Sequence, residues 1–103
     1  KTLGQVYFNG NGGGWTFQDA FASDLIVLER GSLDFNNQPV NAEFQSAGNT
    51  RSLNMGSSTF TGKWIVGNSF GMTLNAGTST IIIPDAAVMT AGTGFNYNNV
   101  SFT

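Results

Sequence analysis

The sequence predicts an all-β chain wound as a parallel β-solenoid, or β-helix, with coils of about 20–21 residues. Three observations lead there. Gly, Asn, Ser and Thr make up 46 of the 103 residues, while charged residues account for only 10%. Hydrophobic residues still reach 40% and aromatic residues 13%, which supports a packed core and argues against disorder. The pattern Leu-Asn-x-Gly-x-Ser-Thr-apolar occurs at residues 53–60 and again at 74–81, 21 positions apart.

The repeat extends in both directions. Stepping back 20 from Leu53 reaches Leu33, and stepping forward 21 from Leu74 reaches Phe95. Leu33, Leu53, Leu74 and Phe95 are all apolar, and their neighbours Asp34, Asn54, Asn75 and Asn96 are all polar. In a solenoid each coil rises by one inter-strand spacing, about 4.8 Å, so equivalent residues stack. The leucine series is expected to form an interior column. The Asn series is expected to form a ladder in which each amide donates to the next coil. On that reading Asn75→Asp costs about 1–3 kcal/mol if the position is buried. Gly56 and Gly77 are expected at corners that need a left-handed backbone.

Along the chain, short runs of β-branched and aromatic residues bounded by Gly, Asn, Ser or Pro predict strands. They fall at residues 5–8, 15–17, 25–29, 32–35, 40–44, 51–55, 59–61, 64–66, 72–74, 80–83 and 97–102. Residues 9–14, rich in Gly and Asn, are read as a turn. The one helix candidate, residues 17–25, spans barely two turns and runs into Ile26-Val27, so a short turn is expected there instead. Pro39 and Pro84 sit at strand ends, where a missing N–H is tolerated. An Ig-like β-sandwich repeat is the alternative architecture, and it predicts antiparallel pairing.

Composition excludes several kinds of chemistry. Four basic against six acidic residues give a net charge of −2, so there is no basic footprint for nucleic acid or for a membrane surface. The apolar runs, Ile81-Ile82-Ile83 among them, are far too short to cross a bilayer. With no His and no Cys, the usual neutral-pH acid–base residue, thiol nucleophiles, disulfides and the common zinc ligands are all missing. The six carboxylates, Asp19, Asp24, Glu29, Asp34, Glu43 and Asp85, show no calcium-loop spacing and read as solvated turn acids. No Ser or Thr sits in an activating motif, and the 10–14 glycine run lacks the Lys-Ser/Thr pair of a phosphate loop. No catalytic residue, metal or cofactor is therefore expected. Trp15 and Trp64 are candidate glycan contacts, because exposed rings stack on sugar faces; the competing reading packs them in the interior. Asn99-Val100-Ser101 is a formal glycosylation sequon.

A longer period also shows. Val100 and Phe102 lie 94 positions after Val6 and Phe8, so residues 1–103 read as one repeat segment of a longer tandem array with a period of about 94. Residue 1 is Lys, which suits a mature or internal piece of a larger precursor. Gly13-Gly14-Trp15-Thr16-Phe17-Gln18-Asp19, residues 49–64, residues 72–81 and the closing Tyr97-Asn98-Asn99-Val100-Ser101-Phe102 together resemble the tandem repeats of very large secreted surface proteins of Bacteroidota, similar to the gliding-motility adhesins of flavobacteria. Residues 86–94 depart from that pattern in being poorer in glycine at their start. The resemblance implies stalk or filament material, exported to the cell surface and without catalytic residues.

The expected function is thus structural. The chain is read as a repeat of a large extracellular adhesin, forming a cell-surface fibre that supports adhesion or gliding motility. Its expected partners are neighbouring repeats of the same chain and surface polysaccharide, with no nucleic acid and no membrane insertion. A carbohydrate-binding module of a surface protein and a phage tail-fibre segment are the alternatives.

Overall fold

A computed structural model describes residues 3–85 and 87–103. Ten strands follow one another: β1 (Leu3–Thr16), β2 (Phe21–Asp34), β3 (Val40–Ser46), β4 (Arg51–Asn54), β5 (Thr59–Thr61), β6 (Trp64–Val66), β7 (Met72–Asn75), β8 (Thr80–Ile83), β9 (Met89–Thr90) and β10 (Asn99–Phe102). There is no helix among the described residues. Every strand pairing is parallel. The chain is a β-solenoid, and the antiparallel sandwich is excluded.

The pairings sort into three columns. The first runs from residues 5–8 through 25–28, 43–46 and 64–66 to 89–90. The second runs from residues 14–16 through 31–34 and 51–54 to 72–75. The third runs from residues 21–22 through 40–41, 59–61 and 80–82 to 99–102. The chain visits the columns in that order and completes five circuits. Five layers at about 4.8 Å come to about 24 Å, close to the shortest dimension of a molecule measuring 35 × 33 × 23 Å.

Alternate residues point inward, so each column contributes vertical files of apolar side chains. Val6, Ile26, Phe44, Trp64 and Met89 form one; Phe21, Val40, Phe60, Ile81 and Val100 form another. Aromatic rings link the layers: Phe17 stacks on Phe35 at 5.5 Å, Phe44 on Trp64 at 4.4 Å, and Phe60 meets Trp64 edge-on at 4.9 Å. Most of these side chains are fully buried. Burial of such area is the main stabilising term, since the chain has no cysteine to form a disulfide.

The turns repeat as well. After the second column the chain closes three equivalent β-turns, in which Gln38, Ser58 and Ser79 donate their N–H to the carbonyls of Phe35, Met55 and Ala76. Each turn begins with a left-handed residue: Asn36 at φ 54°, Gly56 at 56° and Gly77 at 55°. The two glycines expected at corners stand there.

Some local expectations change. Residues 9–14 do not separate two strands; residues 10–13 bulge out of β1 opposite Gly31 alone. Gly31, at φ 92°, leaves room for that bulge, since a Cβ there would lie 2.6 Å from the Gly10 carbonyl oxygen. The helix candidate at 17–25 is a short non-strand link followed by β2. Strand β9 was not anticipated, because residues 84–88 lengthen the coil and shift the Trp64–Met89 offset to 25. Nor do Val6 and Val100 occupy equivalent places: Val6 stands in the first column and Val100 in the third. The 94-residue correspondence is therefore not one of stacked positions.

Candidate functional site

Leu33, Leu53 and Leu74 stand in direct register on β2, β4 and β7, beneath Trp15 of β1. Leu33 and Leu53 are fully buried, and Leu74 is partly buried against the core. Phe95 also packs on the core, but it makes no ladder pairing; a shallow cavity of about 300 Å³ lies between it and the Leu74 layer.

Asp34, Asn54 and Asn75 are in register too, one residue on. Their side chains do not bond to one another. The Asp34 carboxylate accepts the N–H of Asn36 at 2.7 Å, and the Asn54 amide oxygen accepts that of Gly56 at 3.2 Å. Asn54, Asn75 and Asn96 are exposed. The expected amide ladder is corrected by this geometry: Asp34 and Asn54 are turn-formers, each holding the bend of its own coil. Inter-coil side-chain bonds lie elsewhere. Ser52 Oγ donates to Ser32 Oγ at 2.9 Å, Ser57 N to Asn37 Oδ1 at 2.9 Å, and Asn36 Nδ2 to the Phe17 carbonyl at 3.0 Å.

Trp64 has no surface to offer a sugar. It is completely buried, and its Nε1 donates to Tyr97 Oη at 3.0 Å. Tyr97 Oη in turn donates to the Ala91 carbonyl at 2.5 Å. Burial raises the Tyr97 pKa above 10.0, opposed by the indole bond. Trp15 is partly buried, edge-on to Phe8 at 5.2 Å, with its ring against Gly10 and Gly31. The exposed ring of the first column is Tyr7, 55% accessible and directly above Val27. Below Tyr7 an open groove of about 390 Å³ runs past Val27, Gln45 and Ile65, with Glu29 at its side. Asn99, in the sequon, is exposed at the lower edge.

Sequence reasoning missed Arg51. It begins β4 facing inward and is only 2% accessible. Its guanidinium donates to the carbonyls of Asn49 (2.9 Å) and Phe70 (3.1 Å), and to those of Gly48 and Asn68; its Nε donates to Ser46 Oγ. Burial lowers its pKa from the usual arginine value. The residue thereby pins two loops of successive layers to one another.

Among the described residues, no three His, Cys, Asp or Glu side chains gather into a group able to hold a metal. No helix there is long and apolar enough to cross a membrane. What these features define is a repeat-like parallel β-solenoid, stabilised by stacked side-chain files. Comparison of the chain with family models, curated proteins and solved structures finds no match.

Proposed function

We propose that this chain is a structural segment of an extracellular surface fibre, a spacer that carries an adhesive part away from the cell in support of adhesion or gliding motility. The observation that carries the reading is the register of Leu33, Leu53 and Leu74, with all backbone ladders running along one axis. A stack of this kind lengthens by adding layers without altering its cross-section, which is the property a stalk needs. Few charges and many Asn, Ser and Thr side chains suit a surface that remains solvated without titrating.

Electron microscopy of the native protein tests this. The expected result is a uniform fibre about 33–35 Å wide, set by the cross-section of one layer. A compact particle overturns it. If that particle also binds surface polysaccharide, the carbohydrate-binding reading takes its place, with Tyr7 and the groove beneath it as the contact surface.

A further inference from the structure

A cleft of about 320 Å³ lies on the outer face of the second column, beside the bulge of β1. Asn11, Gly12 and Gly13 of the bulge line one side, and residues of the three layers below line the rest. The bulge thus hangs down the flank of the stack, and the cleft is built sideways, within the described layers. Pockets that take small ligands measure about 300–1,000 Å³, which puts this one at the small end of the range. We infer that the cleft is a saccharide-binding site, taking a neutral sugar unit of a polysaccharide.

The chemistry of the lining selects that class of ligand. Leu33, Leu53 and Leu74 belong to the inward file, so Ser32, Ser52 and Thr73, each one residue earlier, face outward into the cleft. Their hydroxyls form a file with one rung per layer, about 4.8 Å apart. Ser52 Oγ already donates to Ser32 Oγ at 2.9 Å, which shows the file to be close enough to act as one surface. A hydroxyl both donates and accepts, and so does each hydroxyl of a sugar, so the two can pair in either sense. Among the described residues lining the cleft, only Arg51 is charged. It is 2% accessible, and its guanidinium is engaged by four carbonyls and Ser46 Oγ. A phosphate, sulfate or carboxylate would meet no unengaged cation there, and a cationic ligand would meet no carboxylate. A neutral polyol needs neither.

Phe70 supplies the apolar half of the site. A pyranose ring carries C–H groups on one face and hydroxyls around its edge, and the C–H face stacks on aromatic rings. Phe70 adjoins Gly71, which lines the cleft, and at 84% it is the most accessible large hydrophobic side chain among the described residues. Its backbone is held on both sides. Phe70 N donates to Asn68 Oδ1 at 2.9 Å, the Phe70 carbonyl accepts from Arg51 at 3.1 Å, and Arg51 N donates to the Gly71 carbonyl at 3.0 Å. Gly71 lies so close under the layer above that a Cβ there would sit 2.6 Å from the Asn49 carbonyl oxygen. A ligand that stacks on Phe70 therefore does not have to order the loop first. The site belongs to a single segment, so it stands whether or not segments build a fibre.

Affinity electrophoresis of the 103-residue chain in native gels containing dextran, laminarin, galactomannan or xylan tests the site. At least one of these neutral polymers should retard the wild type, and heparin should not. Calorimetric titration with an oligosaccharide of the retarding polymer then locates the contact. Phe70→Ala should weaken binding about tenfold at unchanged melting temperature, while Phe70→Tyr, which keeps the ring, should preserve it. Ser52→Ala and Thr73→Val each remove one hydroxyl and should weaken it about three- to tenfold. Val88→Ala, at an exposed position on the first column, should bind as the wild type does. Failure of all four neutral polymers to retard the chain overturns the site, as does stronger retardation by heparin. Unchanged affinity in both Phe70→Ala and Ser52→Ala overturns it too. So does loss of binding in Tyr7→Ala but not in Phe70→Ala, which would move the contact to the groove of the first column. None of these results alters the fibre expected by microscopy, so the two readings fail separately.

Discussion

At Arg51 the solenoid places a charge where the flanking layers have Gly31 and Met72. The reason is local. Residues 46–50 and 67–71 turn several carbonyls inward, and an apolar side chain would leave them dry and unpaired. A guanidinium brings five N–H donors in a rigid plane and matches four carbonyls and a hydroxyl in two layers. Replacing it with Met should therefore cost about 3 kcal/mol despite similar bulk, because buried acceptors lose their donors. Urea denaturation would show this as a lower midpoint at unchanged slope; equal midpoints would mean the loops re-pair by themselves. Nothing in the sequence announced this role, since the Phe70 carbonyl is 19 residues away and only the coil brings it near. The turn role of the Asp34 file is legible in its residue types. A ladder of amides needs a donor at every rung, and Asp34 has none when ionised. An Asx turn needs only an acceptor, which Asp and Asn supply alike. Asn75→Asp, at an exposed site, accordingly falls among surface changes worth within about 0.5 kcal/mol.

Among the elements, the three β-turns after the second column set the pitch of the coil. Gly77 sits directly on Gly56, and a Cβ at position 77 would lie 2.5 Å from the Gly56 carbonyl oxygen. That oxygen also accepts the N–H of Thr78 at 2.9 Å, so it cannot move aside freely. Gly77→Ala thus combines a left-handed backbone with a clash, and should cost about 2 kcal/mol or more. Asn36→Gly is the informative comparison, because Asn36 holds the same φ of 54° with a side chain already accommodated. It should lose only its bond to the Phe17 carbonyl. Thermal melts of the two variants would separate the terms, and an unperturbed Gly77→Ala would show that the turn is not tightly stacked. These turns were readable because the glycines recur at a fixed spacing. The bulge in β1 and strand β9 were not, since a one-against-four mismatch and a lengthened coil both break the period that made the rest visible.

For the whole molecule, stability is distributed in one dimension. Each layer touches only the layers above and below, so stability is a sum of layer and interface terms and the ends fray first. Here the interior is densest in the middle: Ile26, Leu28, Phe35, Phe44, Met55, Phe60 and Trp64 are fully buried, whereas Met89, Phe95, Tyr97 and Val100 of the fifth circuit are only partly so. The second column also loses its ladder there, opposite Leu74. Amide hydrogen exchange at low concentration should therefore give a gradient, with β3 and β4 slowest, β1 intermediate, and β9 and β10 fastest. A single uniform protection factor along the chain would instead mean that the solenoid opens as one cooperative block.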